Sequence, residues 1–309
     1  MKGISYLPDP GLEAAVEVAI ELGMPLLVTG EPGTGKTQLA YWVAKTLFNG
    51  KTEDVLRFNT KTTSVAKDLL YRYDAIRHFR DAQRSDVNVL NYITFAALGK
   101  AILAAGPRRR FIVLIDEIDK APRDFPNDVL FEFEDMAFRV EEAESHDFAA
   151  VGEGFWQNKP ELEELGVTVQ NVVLEQGFIR LPKDAPRPLL ILTSNSEKNL
   201  PDAFLRRCVF YHIPFPDDAM LKDIVSSNVP LSPEYEQMLG RMIALFSEAR
   251  RKGMRKPPAS AELVRWVEIL EKRGIDLDKV AAGDEAMKRE LLKTYPVLAK
   301  NREDLEKLR

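Results

Sequence analysis

Four residues in the stretch "VTGEPGTGKTQLA", Val28 to Ala40, have types and spacing suited to phosphate chemistry. Gly30, Gly35, Lys36 and Thr37 follow the order G-x-x-x-x-G-K-[ST]. Glycines let backbone N–H groups curl around an anion without Cβ clashes. A helix beginning at Lys36 points the positive end of its dipole at the same anion. The Lys36 ammonium would reach the β- and γ-phosphates of a nucleoside triphosphate, and the Thr37 hydroxyl would ligate Mg2+. The loop as a whole, Gly30, Glu31, Pro32, Gly33, Thr34, Gly35, Lys36, Thr37 and Gln38, is the candidate ATP cradle. The plainer alternative is a tight bend between two elements. The context speaks against it, since a buried strand precedes the loop and an amphipathic helix follows.

Further along, "FIVLIDEID" puts Asp116 and Glu117 at the end of an apolar run. A carboxylate beside a triphosphate is balanced by a metal, so Asp116 is the candidate Mg2+ holder with Thr37. Glu117 has the chemistry of a general base that polarises an attacking water. Asn195 closes the run "LLILTSN", where its amide could orient that water. Alone, acids at a strand end and an asparagine after a strand read as a helix cap and a turn former. Their succession behind a phosphate loop favours a shared site.

The elements that must position these residues are legible in outline. A helix runs through "LEAAVEVAIELG" and stops at Gly23 and Pro25. Five strand-like runs follow: "MPLLVTG", "VLRFNT" (55–60), "FIVLIDEI" (111–118), "PLLILTSN" (188–195) and "VFYHIPF" (209–215). Apolar runs alternating with helical patterns predict an α/β fold with a parallel sheet covered on both faces. After Pro216 only helices are expected, near 217–228, 232–253, 260–273 and 284–294. The expected division is an α/β nucleotide-binding domain over 1–216 and a helical lid with a charged, solvated tail over 217–309. Residues 77–100 and 141–186 lengthen two connections and read as surface insertions.

Composition bounds the function. The chain has 309 residues, a net charge of −5, and a single cysteine, Cys208. An internal disulfide is impossible, and a reducing, cytoplasmic setting is expected. The acidic balance argues against nucleic acid as the main partner. The N-terminus lacks a signal-type apolar segment, and no apolar run is long enough for a membrane span.

At this point the sequence resembles a known family. "GEPGTGKT", "LIDEID", "LTSN" and "LPDAFLRRCVFYHIPFP", in this order, look like an AAA+ ATPase, and the "LP-D-A-x-L-x-R" stretch with a short helical C-terminal part is most similar to the MoxR-like branch. The resemblance spans roughly Tyr6 to Trp266. It implies a P-loop sheet of order 5-1-4-3-2, a helical lid, assembly into a ring, with a hexamer the usual size, and ATP hydrolysis coupled to remodelling a protein client. MoxR-like proteins commonly work with von Willebrand A-type partners. Arg206 and Arg207 in "AFLRRC" are candidates for the arginine offered to a neighbour's γ-phosphate, and the family order favours Arg207. The two could instead be solvated arginines at a helix end. Related proteins often carry an arginine at the start of a lid helix. Here that place holds Ala261 or Glu262, leaving Arg255 or Arg265 as substitutes.

Other features stay open or read plainly. Tyr6 and Leu7 could lie against adenine or merely lead into the first helix. Asn59 could restrain Glu117. The basic runs 106–111 and 248–256 read as solvated or ring-interface faces. His78, His146 and His212 lack ligand spacing, so no zinc site is expected. Phe155 and Trp156 could grip a client or pack onto the parent domain, with packing favoured. The competing functions are a nucleotide-controlled assembly switch with little turnover, a small-molecule kinase, and a clamp-loader-like DNA partner. Glu117 speaks against the pure switch, "LTSN" and the late arginines against the kinase, and the acidic balance against the DNA partner.

Overall fold

The computed structural model describes residues 6, 8–83, 88–106, 109–144, 148, 155–156, 159–166, 169 and 172–308. Leu7, His146 and parts of the 77–100, 106–111 and 141–186 segments lie outside them. By contacts the chain divides into two units. One comprises Pro8–Gly30 and Lys36–Ile213, and the other gathers Tyr6, Glu31–Gly35 and the helices from Pro214 onward.

The first unit is built on five parallel strands: β1 (Leu26–Gly30), β2 (Val55–Asn59), β5 (Ile112–Asp116), β9 (Leu189–Ser194) and β10 (Val209–Ile213). Their order is β10-β1-β9-β5-β2. Renumbered within this sheet alone, that is 5-1-4-3-2, the order the resemblance implies. Every residue of β1, β5 and β9 is buried, which is what a parallel strand with both faces covered requires. The edge strands β2 and β10 expose alternate residues instead.

The helix α1 (Pro10–Leu22) starts on Asp9, whose Oδ1 accepts from Gly11 N at 2.9 Å and Leu12 N at 3.1 Å. It ends on Gly23, whose left-handed φ of 62° a larger residue would resist. The helix α2 (Lys36–Thr46) leaves the phosphate loop and packs against β1, β2, β5 and β9.

Two small antiparallel sheets stand outside the main one. β3 (Tyr71–Tyr73) pairs with β4 (Ile93–Phe95), flanking the helix Ala75–Ala82. β6 (Ala137–Arg139), β8 (Phe178–Arg180) and β7 (Val173–Glu175) form the second. Three-residue strands carry too few residues for a readable alternation in the sequence.

Lys159 joins the two insertions. Its buried Nζ donates to Leu90 O at 2.7 Å and Ile93 O at 2.5 Å, and burial lowers its pKa from the ordinary lysine value. Beside it, Trp156 is 4 % exposed and lies 6.1 Å from the rings of both Phe95 and Phe148. Trp156 is therefore a core residue, which excludes it as an exposed grip.

The helical unit has its own core. Leu221, Val225, Leu239, Met242, Phe246, Leu263, Trp266 and Leu270 are all buried in it. Trp266 Nε1 donates to Thr294 Oγ1 at 2.8 Å, and the Tyr235 hydroxyl donates to Ile275 O at 3.1 Å. The C-terminal stretch is not a solvated tail. Leu298 and Leu308 are buried, and the fully buried Asp304 accepts from Arg255 N at 2.7 Å and Lys256 N at 3.0 Å. Two backbone amides repay the desolvation of that carboxylate, so a charged sequence folds inward.

Replacing Trp156 with alanine should lower the unfolding free energy by about 3–5 kcal/mol, the cost of emptying a core site of this size. Denaturant unfolding reads the change, and a loss below about 1 kcal/mol would contradict the packing role.

Candidate functional site

The phosphate loop leaves β1 at Gly30 and enters α2 at Lys36. Gly33 and Gly35 both hold positive φ, 81° and 87°. A Cβ on Gly33 would stand 2.8 Å from the Ala259 Cβ, and one on Gly35 would stand 2.5 Å from the Tyr6 ring. Conformation and space thus both demand glycine at these two positions. Lys36 is buried, and its Nζ donates to Gly30 O at 2.8 Å. The Thr34 hydroxyl folds back onto Glu31 O at 2.9 Å.

The ends of β5 and β9 bring the next residues together. Asp116 closes β5, and its Oδ1 accepts from Thr37 Oγ1 at 3.2 Å and from Thr193 Oγ1 at 2.6 Å. Its Oδ2 is held by Arg57 Nη2 at 2.5 Å. A hydroxyl and a carboxylate oxygen this close are the hard donors that Mg2+ selects.

Glu117 follows with a left-handed backbone, φ 57°, uncommon for a residue with a side chain and typical of functional strand ends. Its N–H donates to Thr193 Oγ1 at 2.9 Å. Its carboxylate is held on both oxygens, by Asn195 Nδ2 at 3.2 Å and by Lys120 Nζ at 2.5 Å. The structure thus brings Thr37, Asp116, Glu117 and Asn195 into one cluster. Asn59 is exposed opposite Asp116 in the β2–β5 register, and among the described residues it makes no hydrogen bond to Glu117.

Several residues that meet this cluster or the phosphate loop give no signal in the sequence. Thr193 is one, a single hydroxyl that accepts from one acidic residue's amide and donates to the other's carboxylate. A threonine inside an apolar strand gives no such signal. Arg57 and Lys120 are two more, visible in sequence only as charges at strand ends.

Arg250 is the fourth. It lies in the basic run expected to be a solvated or ring-interface face, and its guanidinium stacks on Phe215 at 3.4 Å and pairs with Glu31 of the phosphate loop at 2.7 Å. Nearby, Ser260 Oγ donates to Gly33 O at 2.6 Å. No side-chain contact of this kind involves Arg255 or Arg265 among the described residues. Arg109, in the other basic run, pairs with the buried Asp54. Arg207 is tied to Glu134 of its own chain and to Ala203 O at 2.9 Å. Arg206 is exposed and has no ion pair among the described residues.

Thr193→Val keeps the shape of the side chain and removes the shared hydroxyl. It should cost about 1–3 kcal/mol of folding stability, because the Glu117 N–H and an Asp116 oxygen lose a buried partner. Thermal or denaturant unfolding measures it, and an unchanged midpoint would refute the bridging role.

The comparisons bear on this geometry directly. Residues 25–208, more than half of the chain, match the family described as AAA domain (dynein-related subfamily). No curated protein matches the chain. The matched stretch begins just before β1 and ends just before β10, so it takes in the phosphate loop, the acid pair and Asn195. With the sheet order and the match in agreement, the chain belongs to the AAA domain family, in its dynein-related subfamily.

Proposed function

We propose that the protein binds ATP and hydrolyses it to ADP and phosphate, acting as a ring that remodels a protein partner. The single observation that carries the catalytic part is the cluster at the strand ends, with Thr37 against Asp116 and Asn195 against Glu117, each pair at 3.2 Å. The amides of the Gly30–Thr37 loop and the Lys36 ammonium would hold the phosphates. Thr37 and Asp116 would hold Mg2+, which when bound neutralises phosphate charge. Glu117 would accept a proton from the attacking water as its oxygen bonds to the γ-phosphorus and the bond to the β-phosphate oxygen breaks. Asn195 would orient Glu117 and that water.

Ring assembly rests on family membership and on Arg206, the arginine of the pair with no ion pair among the described residues. Arg207 would serve in its place only by leaving Glu134. The MoxR-like branch, and with it a von Willebrand A-type client, rests on the "LPDAFLRR" motif and on the helical C-terminal unit. No helix among the described residues is long and apolar enough to cross a membrane.

One observation favours a second reading, a nucleotide-controlled switch with little turnover. Lys120 holds the candidate base by an ion pair, which occupies one of its carboxylate oxygens. The two readings separate on phosphate release. Hydrolysis predicts steady release that Glu117→Gln cuts at least a hundredfold with ATP affinity kept, and that Lys36→Ala abolishes together with binding. Tight ATP binding with no release from the wild type would leave the switch. Undiminished ATP uptake by Lys36→Ala would overturn both.

A further inference from the structure

Glu117 is followed by a short 3-10 turn, Ile118–Lys120, and Asn195 by an irregular segment in which Ser196 holds a left-handed φ of 58°. Two side-chain links join these segments at matching steps. Asn195 Nδ2 donates to Glu117 Oε1 at 3.2 Å. Two residues on along both segments, Glu197 N donates to Asp119 Oδ2 at 2.9 Å. The Lys198 ammonium adds a looser tie to Lys120 O at 3.3 Å.

Asp119 is 2 % exposed, and no cation pairs with it among the described residues. Its Oδ1 is buried without a hydrogen-bond partner among the described residues. A carboxylate so enclosed, facing a single backbone amide, costs stability that a small polar residue would not. The expense has a local consequence. It pins the chain just after Asn195, where the strand has ended and no ladder bond restrains it.

We propose that Asp119 is a positioning residue for the proposed hydrolysis. By clamping the Glu197 amide it fixes the reach of Asn195 to Glu117 and hence the geometry of the base. Without the clamp, Asn195 swings on the left-handed Ser196 hinge and the base loses its orienting partner. The phosphate loop is untouched, so ATP binding persists. This rests on the hydrolytic reading above.

The test uses the full chain and four variants: Asp119→Ala, Asp119→Asn, Asn195→Ala and the double variant Asp119→Ala/Asn195→Ala. Asp119→Ala should lower kcat by about ten- to a hundredfold, the range of a displaced catalytic group, with ATP affinity within about twofold of wild type. Asp119→Asn keeps an acceptor for the Glu197 amide and should recover most of kcat. The double variant should be no slower than Asn195→Ala, because both changes disable one arrangement. Equal loss in Asp119→Asn and Asp119→Ala, or multiplicative losses in the double variant, would overturn the proposal. If Asp119→Ala fails to fold, Asp119→Ser, too short to hold the amide, replaces it with the same expectations.

Hydrogen exchange at the Glu197 amide in the nucleotide-free protein reads the clamp without turnover. Faster exchange in the alanine variant supports it, and unchanged exchange overturns it. Wild-type protein that releases no phosphate would overturn the hydrolytic reading itself, and the exchange result would then decide the clamp alone.

Discussion

One carboxylate holds the strand-end cluster together. Asp116 sits where β5 leaves the sheet, and three groups from three other elements converge on it: Thr37 of α2, Thr193 of β9 and Arg57 of β2. Such convergence is possible because neighbouring strands run parallel, so their C-terminal ends share one edge. A buried carboxylate is tolerated only when its lone pairs are occupied. That requirement fixes the side-chain directions of Thr37 and Thr193 and ties the start of α2 to the sheet.

From this point the rest of the cluster follows in order. The Thr193 hydroxyl that serves Asp116 also takes the Glu117 N–H, which steadies a backbone in a conformation few non-glycine residues adopt. Glu117 is turned so that its carboxylate meets Asn195 from the next strand. Past that pair, Asp119 and Glu197 repeat the cross-link one step further from the sheet. Each link uses a residue whose neighbour in sequence serves another link, so the two segments after β5 and β9 are cross-linked step by step.

Asp116, Glu117 and Glu31, around the strand ends and the loop, each meet a cation. Arg57 neutralises Asp116, Lys120 neutralises Glu117 and Arg250 neutralises Glu31. The first two pairs are partly exposed and are worth little to stability. Their greater effect is on local potential, since each acid meets its cation at contact distance.

The sequence by itself pointed to the sheet, the loop and four of the cluster residues, Thr37, Asp116, Glu117 and Asn195, but not to Thr193, Arg57 or Lys120. Apolar runs in β1, β5 and β9 have no exposed face to alternate with, and the positive φ of Gly33 and Gly35 is a backbone limit that acts within a few residues. Such constraints are local, and local patterns carry them. Only the tertiary structure decided which charges meet. Arg250 and Glu31 lie far apart in the chain, as do Asp119 and Glu197, and no periodicity encodes their pairing. The same holds for Asp304, whose charged flanks read as a solvated tail until folding supplied two backbone amides. Burial of a polar or aromatic group is a property of what surrounds it in space, and that appears only when distant segments close around it.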